Sequence, residues 1–503
     1  MTATLLAVSI VDAEPPLHEQ VADALRAGAD LIELRVDRIG DVAAVEELLR
    51  QPHDQPFIVT VRCAAEGGAW GGGERERLRV IERLASLAPG YVDVEAAVAR
   101  RPAIGGNRLI LSHHDLAATP ADPGAVLDRL AGRGADVIKA AFTAADALDA
   151  LRVLDALRQR AGRCRTIALA MGEAGLVSRV LARKFGAFLT FAAPRPGSAS
   201  APGQITVSEL RQRYRWNTIG RATRLFGVIG WPVAHSRGPQ LHNAALAAAD
   251  LDGVYLPMPV KPSYADLATF LDYVSAEPWR DLRGLSVTIP HKEHVARWLA
   301  RRGDTLSPLA ARCGAVNTLV RTPGGRWRGA NTDALGVVAA IENAAEPAAG
   351  ELRGVAVDVL GAGGVARAAV AALVDRGCTV TIYNRSPERA ARLADELGCR
   401  CLPWERRADG AGRVLINCTS VGMTPHTART PMPRRRLAPP LVVFDTVYTP
   451  RQTRLLREAA AAGCTTIDGE TLFVAQAAAQ FSLWHDRPAP VGAMRAALDA
   501  PHG

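Results

Sequence analysis

From residue 1 to residue 217, short apolar runs alternate with longer segments whose apolar residues recur every three to four positions. The short runs predict β-strands and the longer segments predict amphipathic helices. We predict strands at Leu5–Val11, Asp30–Val36, Phe57–Arg62, Tyr91–Glu95, Arg108–Ser112, Asp136–Phe142, Arg165–Met171 and Ala187–Ala193, and helices at Leu17–Ala27, Val42–Arg50, Glu74–Leu87, Ala144–Arg160 and Val177–Phe185. Strands that alternate with helices in this way predict a (β/α)8 barrel, although a helix after the fourth strand is only weakly indicated.

A predicted helix at Val207–Tyr214 closes this first region, and a domain boundary is expected near residues 215–223. A new strand begins at Leu225, and further along Val355–Leu360 leads into a glycine-rich turn and a helix. That order is typical of a Rossmann-type lobe. We therefore predict an α/β protein with three parts: a barrel at 1–217, a second lobe at 222–335 completed by 470–503, and a nucleotide lobe at 336–469.

Composition narrows the class of protein. The net charge of +9 is carried mainly by scattered arginines without a basic and aromatic stripe, which favours solubility or attraction of anionic substrates over nucleic-acid binding. The eight cysteines form no C-x-x-C pair and no metal-ligand spacing, so we expect a reducing cytoplasm and no metal. No uncharged apolar stretch approaches a membrane span, and the segment Met1–Ile10 has neither a signal-peptide nor a transit-peptide character.

Lys139 is the most informative residue of the first region. It lies in an apolar run that reads as a buried strand, where an amine is costly to bury unless it is paired or reactive. Burial favours the neutral amine, which can attack a ketone to form a Schiff base. Another strand-like run ends in His113-His114-Asp115, and this sequence supplies a candidate general base.

Further polar residues cluster at the predicted C-terminal strand ends, which form the catalytic face of a barrel. Any one of them taken alone reads equally well as a structural ion pair, but their convergence favours a site. They are Glu33, Arg35, Arg62, His114, Lys139, Arg179, Ser200 and Gln204.

These motifs, in this order, resemble type I 3-dehydroquinate dehydratase over essentially the whole first region. The resemblance implies that Lys139 forms a Schiff base with 3-dehydroquinate and that His114, rather than His113, is the base. It implies that Glu66 orients the histidine and that Arg179 binds the substrate carboxylate. Ring hydroxyls and carboxylate are then held by Glu33, Arg35, Arg62, Ser200 and Gln204.

The glycine-rich turn after Val355–Leu360 predicts a phosphate-binding elbow, because a helix N-terminus there offers free amides. Its residues are Gly361, Ala362, Gly363, Gly364, Val365 and Ala366, with alanine at the usual third glycine. The next strand ends in Asn384, Arg385 and Ser386, with Arg389 one turn on, where NAD enzymes often carry an acid. An arginine at this position favours NADP over NAD, because it can bind the 2′-phosphate of NADP. The alternative is an arginine that is only solvated, which would leave NAD open.

Lys292 and Asp333 form a second candidate pair, able to pass a proton to or from an alcohol oxygen during hydride transfer. Read separately, the lysine suits a surface position and the aspartate a helix cap.

Read in order, the motifs of residues 224–488 resemble shikimate dehydrogenase, and the order of dehydratase before dehydrogenase is that of the plant bifunctional enzymes. The resemblance implies that Lys292 and Asp333 are catalytic. It places Ser236, Thr288, Asn317, Tyr448, Gln476 and Gln480 against substrate, and Thr419 and Met423 near the cofactor. The implied ligands are 3-dehydroquinate, 3-dehydroshikimate and shikimate, in aromatic amino acid biosynthesis.

The sequence departs from that family at Gly238, where a second serine usually meets the substrate carboxylate. Losing such a hydrogen bond costs roughly 1.5–3 kcal/mol unless water or Arg237 replaces it. Alternatively, Gly238 makes room for the extra hydroxyl of quinate, which would indicate a catabolic quinate/shikimate dehydrogenase; a tolerated substitution is equally open. A non-enzymatic quinate sensor is disfavoured, because the four candidate catalytic residues of the two regions are present.

Overall fold

The computed structural model describes residues 4–277, 281–344 and 352–500. The described chain therefore begins at Thr4, just before the first predicted strand. Residues 345–351 of the predicted nucleotide lobe lie outside the described residues. Within the described chain there are two compact units, one formed by residues up to 239 together with 251–281, the other by 240–250 and 282–500.

The first unit contains the predicted barrel. Its strands are all parallel and follow the order β7-β6-β5-β4-β3-β2-β1-β8. Across the seam between the first and last of these, the Phe188 amide donates to the Thr166 carbonyl at 2.8 Å. The strands are β1 (Leu5–Ile10), β2 (Leu31–Arg35), β3 (Phe57–Thr60), β4 (Gly90–Glu95), β5 (Arg108–Asp115), β6 (Val137–Thr143), β7 (Arg165–Met171) and β8 (Leu189–Ala192). The predicted fold class is confirmed for this region.

The helices differ from the prediction in two places. The predicted helix Val177–Phe185 is two helices, because Leu181 leaves the helical backbone with ψ at 2°. Between β4 and β5 the described chain forms turns and no helix. The barrel helices are α1 (Leu17–Ala27), α2 (Val36–Ile39), α3 (Val42–Arg50), α4 (Glu74–Ala85), α5 (Pro123–Ala131), α6 (Ala147–Arg160), α7 (Gly175–Val180), α8 (Ala182–Phe185) and α9 (Val207–Gln212).

The strand register lines up polar residues on the inner wall of the barrel. Ser112 of β5 is paired with Glu95 of β4 on one side and with Lys139 of β6 on the other. Thr60 of β3 pairs with Asp93. Because side chains alternate along each strand, these polar residues share the interior face, and their apolar neighbours pack towards the helices.

After the barrel, the first unit continues with a parallel pair of strands, β9 (Arg224–Gly230) and β10 (Gly253–Pro259). Helix α10 (Gly238–Ala248) joins them in sequence, and α11 (Tyr264–Ala276) follows β10. In the second unit β13 pairs antiparallel with β11 and β14, while β12 runs parallel to β14. These elements are β11 (Leu282–Val287), α12 (Lys292–Arg302), β12 (Thr305–Leu306), α13 (Pro308–Cys313), β13 (Thr318–Arg321), β14 (Trp327–Ala330) and α14 (Thr332–Ala344).

The rest of the second unit is a six-stranded parallel sheet in the order β17-β16-β15-β18-β19-β20, which confirms the predicted Rossmann-type lobe. The elements are β15 (Ala356–Leu360), α15 (Gly364–Asp375), β16 (Thr379–Asn384), α16 (Pro387–Leu397), β17 (Arg400–Pro403), β18 (Val414–Asn417), β19 (Val442–Asp445), α17 (Arg454–Ala461), β20 (Thr465–Ile467), α18 (Gly469–His485) and α19 (Val491–Asp499). Its apolar side chains form two buried clusters, one that includes Val359 and Phe444 and another that includes Leu415 and Val443.

Candidate active sites

A cavity of about 130 Å³ in the barrel is lined by all nine of the residues that the sequence singled out there. Leu116, Met171 and Phe191 supply apolar wall between them. Polar groups that converge in a mostly enclosed apolar space are typical of a small-molecule site. The nine residues are Glu33, Arg35, Arg62, Glu66, His114, Lys139, Arg179, Ser200 and Gln204.

Lys139 is only 5% exposed and is held by carboxylates. Its Nζ donates to Asp93 Oδ2 at 2.8 Å and lies 3.6 Å from Glu33 Oε1. The same nitrogen lies 4.7 Å from the centre of the Phe191 ring, which covers it on another side. The sequence predicted that a buried amine here is paired or reactive, and the structure pairs it with the carboxylate of Asp93.

Asp93 is itself buried and bonded to three groups. Ser112 Oγ donates to its Oδ1 at 2.6 Å, and Arg62 Nη2 donates to the same oxygen at 2.9 Å. Burial raises the pKa of Asp93, but the charges of Arg62 and Lys139 outweigh it and hold that pKa well below its usual range. Asp93 is therefore a fixed carboxylate that orients the amine.

Arg62 is 3% exposed. It lines the cavity and also lies against several carboxylates. Besides Asp93 it lies 3.3 Å from Glu95 and 3.9 Å from Glu66. Much of its guanidinium is thus engaged within the protein, and its predicted contact with substrate stays a prediction.

His114 is positioned by Glu66 through two contacts to the same oxygen. Glu66 Oε2 accepts the backbone N–H of His114 at 3.0 Å and lies 2.8 Å from its Nδ1. An ionised Glu66 accepts both protons, which assigns the proton to Nδ1 and leaves the lone pair on Nε2. Burial, helped by Arg62 and Lys139, lowers the pKa of His114 well below its usual range. The ring is therefore neutral, as a general base must be.

His113 points elsewhere and does not line the cavity. Its ring contacts Phe142 at 6.4 Å between centres, and burial lowers its pKa. This placement favours His114 as the base.

Arg179 is a buried cation for which no carboxylate within 4 Å is found among the described residues. Its Nη1 donates to the Ala170 carbonyl at 2.7 Å, and its Nε has no hydrogen-bond partner. Burial lowers its pKa to about 10. A desolvated guanidinium of this kind suits a carboxylate ligand. Beside it, Ser200 donates through N and Oγ to Gln204 Oε1 at 2.7 and 3.0 Å.

In the second unit Lys292 and Asp333 meet. Lys292 begins α12, Asp333 lies in the first turn of α14, and Nζ donates to Oδ2 at 2.5 Å. Both side chains remain partly exposed, at 22% and 14%. Thr288 precedes this lysine in a turn, where its carbonyl accepts the His291 amide at 2.9 Å. The pair is accessible and directly bonded, as proton transfer requires.

Asn317, which directly precedes β13, bonds to the start of α14, the helix that carries Asp333. Its Oδ1 accepts the Thr332 amide at 2.7 Å, and its Nδ2 donates to Thr332 Oγ1 at 3.0 Å. Gln480, from α18, donates to the Asn317 carbonyl at 3.2 Å and accepts from Ser286 Oγ at 2.8 Å. Gln480 is 1% exposed. The side chain of Gln480 is thus bonded to Asn317 and Ser286 within the protein. Its contact with substrate stays a prediction.

Tyr448 and Gln476 converge on Phe473 of α18. The Tyr448 ring stacks on Phe473 at 5.9 Å between centres, and Gln476 Nε2 donates to the Phe473 carbonyl at 3.1 Å. Tyr448 is 51% exposed, so its hydroxyl is available to a ligand.

The nucleotide elbow has the space that a phosphate needs. Methyl groups added at Gly363 or Gly364 would meet no atom within 4 Å, and Gly363 caps α15, whose first amides point outwards. Gly361 has φ at +108° and packs against Cys418 and Thr419. Ala366 is fully buried in the core and allows close helix packing, while Ala362 and Val365 border the core.

Arg385, just after β16, and Arg389, in the first turn of α16, are exposed, and no ion pair of either is found among the described residues. Asn384 Nδ2 donates to the Ser386 carbonyl at 3.0 Å and shapes the turn. Thr419 donates to Asn417 Oδ1 at 2.6 Å, and Met423 is 44% exposed on the same loop. These residues fit a dinucleotide with a 2′-phosphate.

Ser236 and Gly238 belong to the first unit. The Gly238 amide donates to Ser236 Oγ at 3.2 Å, at the start of α10. Arg237, which the sequence offered as a replacement for the missing serine hydroxyl, follows Ser236 directly.

Asp93 is the residue of the barrel that sequence reasoning missed. The alternation of acids and valines in Tyr91–Glu95 was itself a signal, since both faces of a barrel strand are buried. A carboxylate on the inner face then requires a cation, and Lys139 on a nearby strand is the available one.

Family models match the chain in four segments. "Type I 3-dehydroquinase" matches residues 6–252, and "Shikimate dehydrogenase substrate binding domain" matches 228–319. "Shikimate / quinate 5-dehydrogenase" matches 343–409, and "Shikimate 5'-dehydrogenase C-terminal domain" matches 469–498.

A relative from Arabidopsis thaliana, named "Bifunctional 3-dehydroquinate dehydratase/shikimate dehydrogenase, chloroplastic", is 37% identical over 94% of this chain and 80% of its own length. The chain belongs to this bifunctional family. An NADP(+)-dependent shikimate dehydrogenase from Acidiphilium cryptum is 43% identical over 52% of the chain and 90% of its own. A solved shikimate dehydrogenase from Listeria monocytogenes, in complex with shikimate and NAD, is 31% identical with a TM-score of 0.50, covering 56% and 98%.

The predicted enzyme class is thereby confirmed: a dehydratase of the lyase class is joined to an NADP-dependent dehydrogenase in the order seen in the Arabidopsis relative. Among the described residues no helix is long and apolar enough to cross a membrane, and no cluster of three or more His, Cys, Asp and Glu side chains is arranged to hold a metal.

The pH dependence of the dehydratase tests the role of Glu66. Burial raises the pKa of Glu66 to about 7, so its carboxylate is lost as the pH falls through that value. We expect the rate to fall with it, because a protonated Glu66 no longer accepts Nδ1–H, while His114 itself stays neutral. In Glu66→Gln this limb near pH 7 should vanish, with kcat lower by about 100-fold or more. Retention of the limb in that variant would assign it to another group, and exposed Glu47→Gln is the control.

The choice of cofactor tests Arg385. Losing a charge-assisted contact to phosphate should raise KM for NADP by about tenfold or more in Arg385→Ala and leave KM for NAD within about twofold. Arg392→Ala, an exposed arginine further along α16, is the matched control. An equal loss for both cofactors would contradict a 2′-phosphate contact.

Proposed function

We propose that the barrel dehydrates 3-dehydroquinate to 3-dehydroshikimate with Lys139 as the Schiff-base residue and His114 as the base. The observation that supports it most is that a buried amine and a neutral imidazole line one cavity together. Asp93 holds the amine, Glu66 holds the imidazole, and Arg179 offers a desolvated cation to the substrate carboxylate.

In the proposed reaction Lys139 Nζ adds to the C3 carbonyl, and loss of water gives an iminium ion. His114 Nε2 removes a C2 proton, and the electron pair of that bond moves into the iminium to give an enamine. The enamine expels the C1 hydroxyl, which leaves as water with the proton from His114. Hydrolysis of the remaining iminium releases 3-dehydroshikimate and restores the amine.

The second activity is proposed to reduce that ketone to shikimate. When bound, NADPH supplies the hydride. The Lys292–Asp333 pair delivers a proton to the carbonyl oxygen as it becomes an alcohol, and the 2.5 Å contact supports the pairing. Asn317, Thr288, Tyr448, Gln476 and Gln480 are proposed to surround the substrate. The elbow Gly361–Ala366 with Asn384, Arg385, Ser386 and Arg389 is proposed to hold the cofactor, and Thr419 and Met423 to border it.

We further infer three domains with the boundaries predicted from sequence. The starts of the substrate-binding match at residue 228 and of the C-terminal match at residue 469 support two of these boundaries, while the dehydroquinase match runs on to residue 252. A reducing cytoplasm is the proposed compartment, and the eight free cysteine thiols support it. The proposed ligands are 3-dehydroquinate, 3-dehydroshikimate and shikimate, without nucleic acid or membrane as partner.

Quinate is a second candidate substrate of the dehydrogenase, and only Gly238 favours it. A glycine in place of serine leaves fewer atoms near the carbon that carries the extra quinate hydroxyl. Oxidation of quinate in a catabolic direction would then accompany oxidation of shikimate. Comparison of kcat/KM for the two substrates decides between them.

Borohydride reduction tests the Schiff base. With 3-dehydroquinate present, we expect a covalent adduct on Lys139, located by peptide mass, and no adduct in Lys139→Met. Lys184 is the matched control, because it is also buried but bonds Arg221 and Asp281 away from the cavity. An adduct on another lysine, or none in the wild-type chain, would overturn the proposed dehydratase mechanism.

A further inference from the structure

Asp445 is a buried carboxylate of the second unit that neither proposed reaction uses. It ends β19, and none of its surface is exposed. Three neutral groups donate to it. The Asn417 Nδ2 and the Val447 backbone N–H share Oδ1 at 2.9 and 3.1 Å, and Thr453 Oγ1 donates to Oδ2 at 2.7 Å. Burial raises the pKa of Asp445 to about 6, so the group is mostly ionised at neutral pH. A charge held in the interior by neutral donors is costly, which points to a role for the contacts that it makes.

One of these contacts leads to the loop that borders the proposed cofactor site, residues 418–423, here called the cofactor loop. Asn417 ends β18 and pairs in register with Asp445. An ionised carboxylate only accepts hydrogen bonds, so it fixes the Asn417 side chain with Nδ2 towards Asp445 and Oδ1 towards Thr419. That Oδ1 accepts the Thr419 backbone N–H at 3.0 Å and its hydroxyl at 2.6 Å. The elbow residue Gly361 packs against the same threonine.

The other contacts lead to residues 446–452, here called the substrate loop because it carries Tyr448. Val447, whose N–H is bonded to Asp445, directly precedes Tyr448. Thr453, bonded to the other carboxylate oxygen, is the N-cap of α17 and follows the last residue of the loop. Asp445 therefore holds the substrate loop near its beginning and at its end.

We propose that Asp445 is a positioning residue of the dehydrogenase, which holds the cofactor loop and the substrate loop in their binding conformations together. This rests on the proposed shikimate dehydrogenase activity. A single oxygen, Oδ1, accepts one donor that leads to each loop, so the two conformations depend on the same atom. The loops also lie side by side, since the Thr424 N–H donates to the Thr449 carbonyl at 3.0 Å.

Two substitutions of Asp445 differ in the contacts on which the proposal depends. Asparagine keeps an acceptor oxygen for Asn417 and Val447 and can donate to Thr453 Oγ1, whereas leucine of similar size accepts nothing. In steady-state oxidation of shikimate by NADP, we expect Asp445→Leu to raise KM for both compounds by about five- to tenfold, the loss of about one hydrogen bond at each loop. Asp445→Asn should keep both KM values within about twofold of wild type.

Asn417→Ala separates the two loops and tests the proposal even if Asp445→Leu fails to fold. It breaks the connection to Thr419, but the backbone carbonyl of residue 417 can still accept the Thr446 N–H. We expect KM for NADP to rise about fivefold or more and KM for shikimate to stay within about twofold. In the double variant with Asp445→Leu, KM for NADP should equal that of Asp445→Leu alone within about twofold, because both changes break the same connection.

Asp358→Leu is the matched control for loss of a buried carboxylate. Asp358 lies in β15 of the same sheet and accepts the Gly412 N–H at 2.9 Å and Arg436 Nη2 at 3.3 Å. We expect its thermal unfolding temperature to fall, as in Asp445→Leu, while both KM values stay within about twofold of wild type. The dehydratase rate of every variant should also stay within about twofold.

The inference would be overturned by an Asp445→Leu variant with both KM values within twofold of wild type, or by an Asp445→Asn variant as impaired as Asp445→Leu. An unchanged KM for NADP in Asn417→Ala would also overturn it, as would an Asp358→Leu variant in which both KM values rise as in Asp445→Leu. A wild-type chain that does not oxidise shikimate at all would instead refute the proposed dehydrogenase activity, before any variant is compared.

Discussion

The barrel depends on one constraint: charges taken out of water must be paired. Lys139 is buried in the strand wall and is bonded to Asp93, which is bonded in turn to Arg62 and Ser112. Removing any one of these groups would leave an uncompensated buried charge or dipole. The catalytic amine is therefore held in place by the same contacts that make its burial tolerable.

The network continues outwards to the base. Arg77 is fully buried and donates to Glu95 at 2.8 Å, while Glu95 accepts the Cys63 amide at 2.9 Å. Cys63 opens the short turn that carries Glu66, which holds His114. A chain of hydrogen bonds thus runs from the outer helix α4 to the imidazole. Burial and the nearby charges of Arg62 and Lys139 keep His114 neutral and Asp93 ionised, and burial raises the pKa of Glu66.

The sequence predicted site residues correctly where a residue type was unusual for the element around it. Three features stand out from the sequence alone: Lys139 in an apolar strand, the glycines after Leu360, and the arginines that replace an acid after Tyr383. Sequence reasoning failed where the partner came from a distant strand. Asp93 reads as the polar face of an exposed strand until the barrel closes around it. The break at Leu181 depends on tertiary packing that periodicity does not carry. The absence of a helix between β4 and β5 in the described chain agrees with the weak helical pattern there.

Two sites in one chain are proposed to perform consecutive reactions, and a coupled assay shows whether they do. Wild-type protein is mixed with 3-dehydroquinate and NADPH, and the oxidation of NADPH is followed together with the appearance of shikimate. We expect one shikimate to form for each NADPH oxidised. We also expect Lys139→Met to oxidise NADPH only when 3-dehydroshikimate is supplied. Lys292→Met should form 3-dehydroshikimate without oxidising NADPH. Oxidation of NADPH by Lys139→Met with 3-dehydroquinate, or no shikimate from the wild-type chain, would contradict this proposal.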